Sequence, residues 1–229
     1  MARYRMMYAK KDAAKYISHL DLIRAFERAA RRAGLPMAFT QGFNPHPKLT
    51  FAAPLAVGIA GEAEFADMEL NEDIPAAVVA QSLAAALPEG LQVIEVRQVA
   101  QSAPALMAMV DHAAYTARAM LSNPPQKEKL KNIIEGFLDK PQIIIQRLNK
   151  KGETRECDIK PGIFALSAQM NDDIIELETV LKTGSSGNIR IEELIAALME
   201  HSGLETKGNF ILSRKSLSPA GRDAEGTLW

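Results

Sequence analysis

Four arginines within one short stretch have a spacing that suits anion binding. They stand at positions i, i+4, i+7 and i+8 of a predicted helix: Arg24, Arg28, Arg31 and Arg32. Helical geometry places such residues along one face, opposite an apolar stripe of Leu20, Ile23, Phe26 and Ala30. Neighbouring guanidinium groups repel each other unless an anion lies between them, which indicates phosphate binding. The alternative is a solvated face whose last turn complements the helix dipole, which explains Arg31 and Arg32 but not Arg24.

A proline-bounded loop follows this helix over residues 41–48, with the sequence Gln-Gly-Phe-Asn-Pro-His-Pro-Lys. Its prolines fix the local backbone, and Gly42 permits a turn with positive φ. The loop offers a ring for stacking on a base and polar groups for base edges or phosphates. We therefore predict that it binds nucleic acid together with the arginines, through Phe43, Asn44, His46 and Lys48. The alternative is a tight structural turn that carries a surface histidine.

Two histidines permit a catalytic interpretation. His19 stands at the first helical position after Ser18, where the helix dipole favours the neutral imidazole. A neutral His19 and a charged His46 would form an acid–base pair suited to cleaving RNA without a metal. His19, Asp21 and His46 also include metal-ligand types, but no pair has a diagnostic spacing, so we predict no metal site. Motifs of the phosphate-loop, dinucleotide and nucleophile-elbow types are absent from the sequence, and we predict no cofactor.

Charge is balanced overall but unevenly distributed. The 229 residues carry a net charge of −1. Residues 1–50 hold 10 basic and 3 acidic side chains, whereas residues 51–120 hold 2 and 9. A local basic block attracts phosphates because screening confines its field to about 10 Å; alternatively the two blocks pair with each other. The lone Cys157 excludes an intramolecular disulfide and a cysteine-built zinc site.

The residue pattern predicts an α+β protein of two tandem ferredoxin-like (βαββαβ) units, spanning 1–100 and 112–217, with a flexible tail at 218–229. In the first unit the expected strands are 3–8, 37–43 with 48–57, 63–70 and 91–99. The first expected helix begins at the N-cap Ser18, to which Asp21 can return a bond, and ends at Gly34, and the second begins at the N-cap Asp73. In the second unit the expected strands are 115–120, 142–148, 153–160, 173–181 and 209–212, with helices opening at 123–125 and ending at Gly203.

Membrane insertion is not expected. No apolar run approaches the roughly 18 residues of a membrane helix, and the first residues, Met-Ala-Arg-Tyr-Arg, lack the apolar core of a signal peptide. We predict a cytoplasmic protein.

Three segments carry a resemblance to a known family. Residues 16–22 (Tyr-Ile-Ser-His-Leu-Asp-Leu), the loop at 41–48 and residues 54–58 (Pro-Leu-Ala-Val-Gly) resemble a bacterial domain-of-unknown-function family known as radical SAM-linked or radical SAM-associated proteins. A looser second block lies at 157–161. The resemblance implies a radical SAM enzyme as partner. This chain has no C-x-x-x-C-x-x-C motif and would act beside the enzyme that binds the cluster.

Three functions therefore stand as hypotheses. The leading one is a non-catalytic accessory protein that binds RNA (tRNA or rRNA) through the basic helix and the adjacent loop. The second is a metal-independent endoribonuclease that uses His19 and His46. The third is a protein-interaction module that docks on a radical SAM enzyme through its sheets or its acidic stretch at 62–73.

Overall fold

The computed structural model describes residues 1–148, 152–219 and 228–229. The chain divides into two compact units, of which unit 1 comprises Met1–Asp111 with Ser213–Trp229 and unit 2 comprises His112–Leu212. Both units combine helices with β-strands, so the protein has a mixed α and β fold, as the sequence predicts at this coarse level. Across the described ranges no helix is long and apolar enough to cross a membrane.

Unit 1 contains a mixed sheet whose two long helices cover one face. Its elements, in chain order, are β1 (Ala2–Lys10), α1 (His19–Arg32), β2 (Leu49–Phe51), β3 (Ala60–Leu70), α2 (Ala76–Ala86), β4 (Leu91–Val99), a four-residue helix α3 (Leu106–Met109) and, after unit 2, the last strand β10 (Ile211–Pro219). The strands lie in the order β4-β1-β3-β10, and β2 also pairs with β3. The pairs β1–β3, β1–β4 and β2–β3 are antiparallel, whereas β3 and β10 run parallel.

Alternation along β1 explains how the two faces of this sheet differ. Tyr4 and Met6 are buried in the core that α1 and α2 cover, together with Phe26 of α1 and Leu83 of α2. Because successive strand residues point to opposite faces, the intervening Arg3 and Arg5 lie on the other face. There they reach Asp67 of β3 and the carbonyl oxygens of residues 101–104.

The acidic stretch of β3 is paired within unit 1. Its four carboxylates accept hydrogen bonds from basic side chains in the pairs Lys215–Glu62, Arg214–Glu64, Arg5–Asp67 and Lys48–Glu69. Part of the basic block at 1–50 therefore pairs with part of the acidic block at 51–120, which is one of the two alternatives that the sequence allowed for these blocks. The arginines of α1 do not take part in these pairs.

Unit 2 contains a three-stranded antiparallel sheet and a separate hairpin. Its elements are β5 (Val110–Met120), α4 (Lys127–Leu138), β6 (Ile144–Leu148), β7 (Thr154–Asp158), β8 (Ile163–Asn171), β9 (Ile174–Lys182) and α5 (Ile191–Ser202). Strands β5, β9 and β8 pair in that order, and β6 pairs only with β7 among the described strands. The hairpin is fastened to α5 by Arg147, whose Nε and second guanidinium nitrogen donate to the two carboxylate oxygens of Glu193 at 2.8 and 2.6 Å.

Several predicted elements differ from the structure. Strand β8 was missed, although residues 166–171 (Leu-Ser-Ala-Gln-Met-Asn) alternate as a half-buried strand does. The expected strands at 37–43 and 48–57 reduce to the three residues of β2 and two isolated bridges. The second helix begins after Pro75 and not at Asp73, because the Asp73 carboxylate instead accepts a hydrogen bond from Gln98 at 3.0 Å.

The packed part of the C-terminus extends further along the chain than predicted. Ser218 and Pro219 belong to β10, and Leu228 is fully buried in unit 1, where its carbonyl oxygen accepts a hydrogen bond from Arg5. The Trp229 ring lies 5.2 Å from the Phe65 ring and 4.2 Å from the Arg97 guanidinium. The rest of the predicted flexible tail, 220–227, lies outside the described residues.

Candidate nucleic-acid interface

Helix α1 begins at a side-chain cap. The Ser18 hydroxyl oxygen accepts a hydrogen bond from the Asp21 backbone N–H at 3.1 Å, which satisfies one of the free donors at the helix start. In return, the Asp21 carboxylate accepts a hydrogen bond from the Ser18 hydroxyl at 2.7 Å and not from the Ser18 backbone N–H. This hydrogen bond, followed by the nearby Arg24, lowers the pKa of Asp21. Gly34, with φ at 67°, ends the helix as the sequence predicts.

Three of the four predicted arginines lie on the outer side of α1, away from the buried residues Phe26 and Ala30. Arg24 pairs with Asp21 at 3.3 Å and Arg31 pairs with Glu27 at 2.8 Å, both on the exposed helix surface. Within the described chain Arg28 makes no hydrogen bond or ion pair. Surface pairs of this kind are worth about 0–1 kcal/mol, so a phosphate can displace the carboxylates at little cost.

The fourth arginine and one apolar residue differ from the predicted helix faces. Arg32 turns toward α2 and donates to the carbonyl oxygen of Ala86 at 2.5 Å, where a cation complements the C-terminal end of that helix. Leu20, which is expected on the apolar stripe, is 55% exposed. The buried side of α1 is formed by Leu22, Phe26, Ala29 and Ala30.

The loop that carries Phe43 is fixed at its base by backbone hydrogen bonds. Phe39 and Pro47 form an antiparallel bridge, and the Thr40 N–H donates to the His46 carbonyl oxygen at 2.9 Å. The His46 N–H donates in return to the Thr40 hydroxyl at 3.0 Å. Below this, the Lys48 N–H donates to the Ala38 carbonyl oxygen at 2.8 Å. The loop is therefore a closed hairpin whose ends are held by the edge of the sheet.

The tip of this loop is open to solvent. Gly42 has φ at 129°, a backbone conformation that L residues rarely adopt. Residues 41–46 are all exposed, and the Phe43 side chain is 105% exposed, the full value for this residue type. A ring in that position gains nothing from the core and is available to stack on a planar ligand.

Lys48 lies below the tip, in a cavity at the base of the loop. Its ammonium donates to a Glu69 carboxylate oxygen at 2.7 Å. The cavity has a volume of about 360 Å³ and is open to solvent, with Thr40 and Thr50 exposed, and we call it the loop-base cavity. Its polar lining consists of Arg3, Thr40, Lys48, Thr50, Asp67 and Glu69. Sequence reasoning missed all of these except Lys48, although the i, i+2 spacing of Asp67 and Glu69 in a predicted strand signals a shared face.

The two histidines of the catalytic hypothesis occupy different surroundings. The His19 ring packs against the Phe51 ring with 5.2 Å between centroids, whereas His46 is exposed in the loop. Among the hydrogen bonds and ring contacts of the described residues, none joins His19 to His46. The described ranges also hold no group of three His, Cys, Asp or Glu side chains placed to bind a metal.

The surroundings of His19 predict a pH effect on stability. Burial, followed by the nearby Lys10 ammonium, lowers its pKa from 6.5, which differs from the helix-dipole cause predicted from the sequence. Since the unfolded chain then binds a proton more readily than the folded one, the stability is complete above about pH 6.5 and falls as the pH drops below that value. We expect the fall in urea midpoint between about pH 7.5 and pH 5.5 to be smaller in His19→Asn than in the wild type.

The matched control for this measurement is His46→Asn, because His46 lies in the exposed loop. This variant should keep the wild-type pH dependence. An unchanged pH dependence in His19→Asn would contradict the assignment.

Comparison with known protein families identifies the family of this chain. The model of the family described as "Uncharacterized protein conserved in bacteria (DUF2344)" matches residues 3–191. The chain belongs to this family. The matched segment of this DUF2344 chain includes α1, the 41–48 loop and β3. A comparison with curated proteins finds no match.

Several solved structures are similar to this DUF2344 protein. A chain from "Crystal Structure of a Cbf5-Nop10-Gar1 Complex" has a TM-score of 0.55 at 11% identity, over 93% of this chain and 48% of that one. A chain from an archaeal box H/ACA sRNP Nop10-Cbf5 complex has a TM-score of 0.49 at 11% identity, over 96% and 49%. The protein thus spans about half the length of these chains, and the first likeness supports the mixed α and β fold alone.

Proposed function

We propose that this DUF2344 protein binds RNA through unit 1. The binding surface, which we call the arginine–loop surface, consists of Arg24, Arg28, Arg31, Phe43, Asn44 and His46. The observation that supports it best is Phe43, an aromatic side chain held entirely in solvent by a loop that is fixed at its base. Aromatic side chains on such supports stack on unpaired bases, which is how single-stranded RNA is commonly held.

The charges of unit 1 support the same surface. Arg3, Arg5 and Lys48 are engaged by carboxylates of β3, so their charge is compensated inside the unit. The outward arginines of α1 have only weak exposed partners and remain available for phosphates. Lys48 and Arg32, both predicted to bind nucleic acid, have intramolecular partners, and we leave them out of the surface.

The finer parts of the proposal come from the sequence. We propose that both units are ferredoxin-like, and that the protein is a non-catalytic accessory of a radical SAM enzyme in the cytoplasm. The endoribonuclease alternative lacks support, because no contact joins His19 to His46 in the described chain. Docking of a partner on the acidic stretch loses its main argument, because residues Glu62, Glu64, Asp67 and Glu69 have internal cationic partners.

The direct test is a titration of the full chain against fluorescently labelled tRNA and rRNA fragments, followed by anisotropy at several salt concentrations. We expect a Kd in the micromolar range or below at about 100 mM salt. The slope of log K against log salt should be about −0.7 for each single-strand phosphate contact. No binding at about 50 mM salt, where electrostatic attraction is strong, would overturn the proposal.

Replacing Phe43 tests the stacking role separately from charge. We expect Phe43→Ala to weaken RNA binding roughly tenfold, because one base–aromatic stack is worth about 1–3 kcal/mol. Its salt slope and thermal midpoint should stay at the wild-type values, since the ring contributes to neither charge nor core. Leu148→Ala, which removes another exposed apolar side chain in unit 2, is the matched control and should bind as the wild type does.

A further inference from the structure

The loop-base cavity has a balanced charge that selects against ionic ligands. Arg3 pairs with Asp67 at 2.6 Å, and Lys48 pairs with Glu69 at 2.7 Å. Two cations and two carboxylates line the same space, so a phosphate or an ammonium group meets repulsion and attraction together. A neutral, polar ligand meets no such conflict.

The two ion pairs of the cavity differ in how many of their hydrogen-bonding groups remain without a partner. Asp67 accepts hydrogen bonds from both Arg3 and Arg5, and Arg3 also donates to the carbonyl oxygens of Ala103 and Pro104. This half of the lining is satisfied and rigid. The Lys48 ammonium carries three N–H groups; it donates to a single oxygen of Glu69 at 2.7 Å and weakly to the Met1 sulfur at 3.9 Å.

The half of the cavity formed by Lys48 and Glu69 therefore keeps groups that can form hydrogen bonds with a ligand. In the described part of the chain, the second Glu69 oxygen and the Thr50 hydroxyl have no hydrogen-bond partner. Together with the remaining N–H group of Lys48, they place donors and acceptors side by side. The edge of a nucleobase presents the same alternation of donors and acceptors. The volume of about 360 Å³ is near the lower end of the usual range for ligand cavities, which suits one small ring system.

We infer that the loop-base cavity binds the uncharged base of a single nucleotide, with Lys48, Thr50 and Glu69 on its edge. This inference deepens the proposed RNA binding and rests on it for its biological ligand. Thr40 and Pro47 line the cavity and also form the base of the loop that carries Phe43. One strand of RNA thereby has two recognition points on one loop: a stacking ring at the tip and a base-reading cavity underneath.

Free nucleosides test this cavity without any phosphate contact. Adenosine, guanosine, cytidine and uridine are titrated separately into 15N-labelled full chain, and amide shifts are followed, with ribose 5-phosphate as the control ligand. At least one nucleoside should shift the amides of Thr40, Lys48, Leu49 and Thr50 with saturation at millimolar concentration, and ribose 5-phosphate should not. Thr50→Val and Glu69→Gln should each weaken this binding about fivefold or more, as expected when one hydrogen bond to a polar base edge is lost.

Two further variants separate this inference from the proposed function. Thr154→Val, which changes an exposed strand threonine of unit 2, should leave the nucleoside shifts unchanged. Replacing Arg24, Arg28 and Arg31 with alanine should also leave them unchanged. If no nucleoside shifts these amides, or ribose 5-phosphate shifts them equally, the cavity inference is wrong even where RNA binds. If a nucleoside binds but RNA does not, the RNA proposal is wrong and the cavity assignment stands.

Discussion

A variant with Arg24, Arg28 and Arg31 all replaced by alanine is expected to bind RNA about a hundredfold more weakly at 0.1 M salt. Each phosphate contact to a single strand contributes about 0.7 to the slope of log K against log salt, which is about fivefold in affinity at 0.1 M relative to 1 M. Three lost contacts therefore reduce the slope by about 2. The measurement is fluorescence anisotropy of labelled RNA between about 50 and 300 mM salt.

The helix α4 of unit 2 supplies a control with the same change in net charge. Lys127, Lys129 and Lys131 are exposed cations on that helix. Their replacement by alanine should leave the affinity within about twofold and the slope unchanged, because α4 is not part of the proposed arginine–loop surface. Equal losses in the two triple variants would show that only net charge matters and would remove the α1 arginines from the site.

The features of α1 and the 41–48 loop on which these RNA-binding predictions depend could be predicted from the sequence. The limits of α1 were predictable because Ser18 and Gly34 act locally: one satisfies a free N–H and the other adopts positive φ. The spacing of Arg24, Arg28 and Arg31 fixes their shared face for the same reason, whereas Arg32 turns toward α2. The loop was also identifiable, since its prolines restrict the backbone and Gly42 permits a positive φ regardless of the rest of the chain.

The partners of the charged residues could not be predicted in this way. Whether Lys48 points to solvent or to Glu69 depends on the pairing of β2 with β3, and a shift of one residue would reverse every side chain. The burial of Arg5 depends on its position opposite Asp67 in the β1–β3 register. For β8 the alternation is visible in the sequence, so the strand itself was predictable, whereas its pairing with β9 was not.

Replacing Asp67 with alanine is expected to lower the free energy of unfolding of unit 1 by about 3–5 kcal/mol. The Asp67 side chain is 4% exposed and accepts hydrogen bonds from Arg5, which is 2% exposed, and from Arg3. Without Asp67 the Arg5 guanidinium stays buried with no counter-ion, and that loss is large because water cannot replace the carboxylate. The thermal midpoint should fall by roughly 6–20 °C.

Comparison with an exposed carboxylate of unit 1, Glu95, shows how much burial adds to the stability lost when Asp67 is removed. Glu95 pairs with Arg97 at 2.7 Å on the surface, so Glu95→Ala should cost less than about 1 kcal/mol. A variant that combines Arg5→Met with Asp67→Leu should recover most of the stability lost in Asp67→Ala, since it removes the unpaired cation together with the carboxylate. If Asp67→Ala were as stable as Glu95→Ala, the charged face of the sheet would not be held by Asp67. If the double replacement instead failed to recover stability, the remaining loss would come from Arg3, which also donates to Asp67, or from the shape of that face.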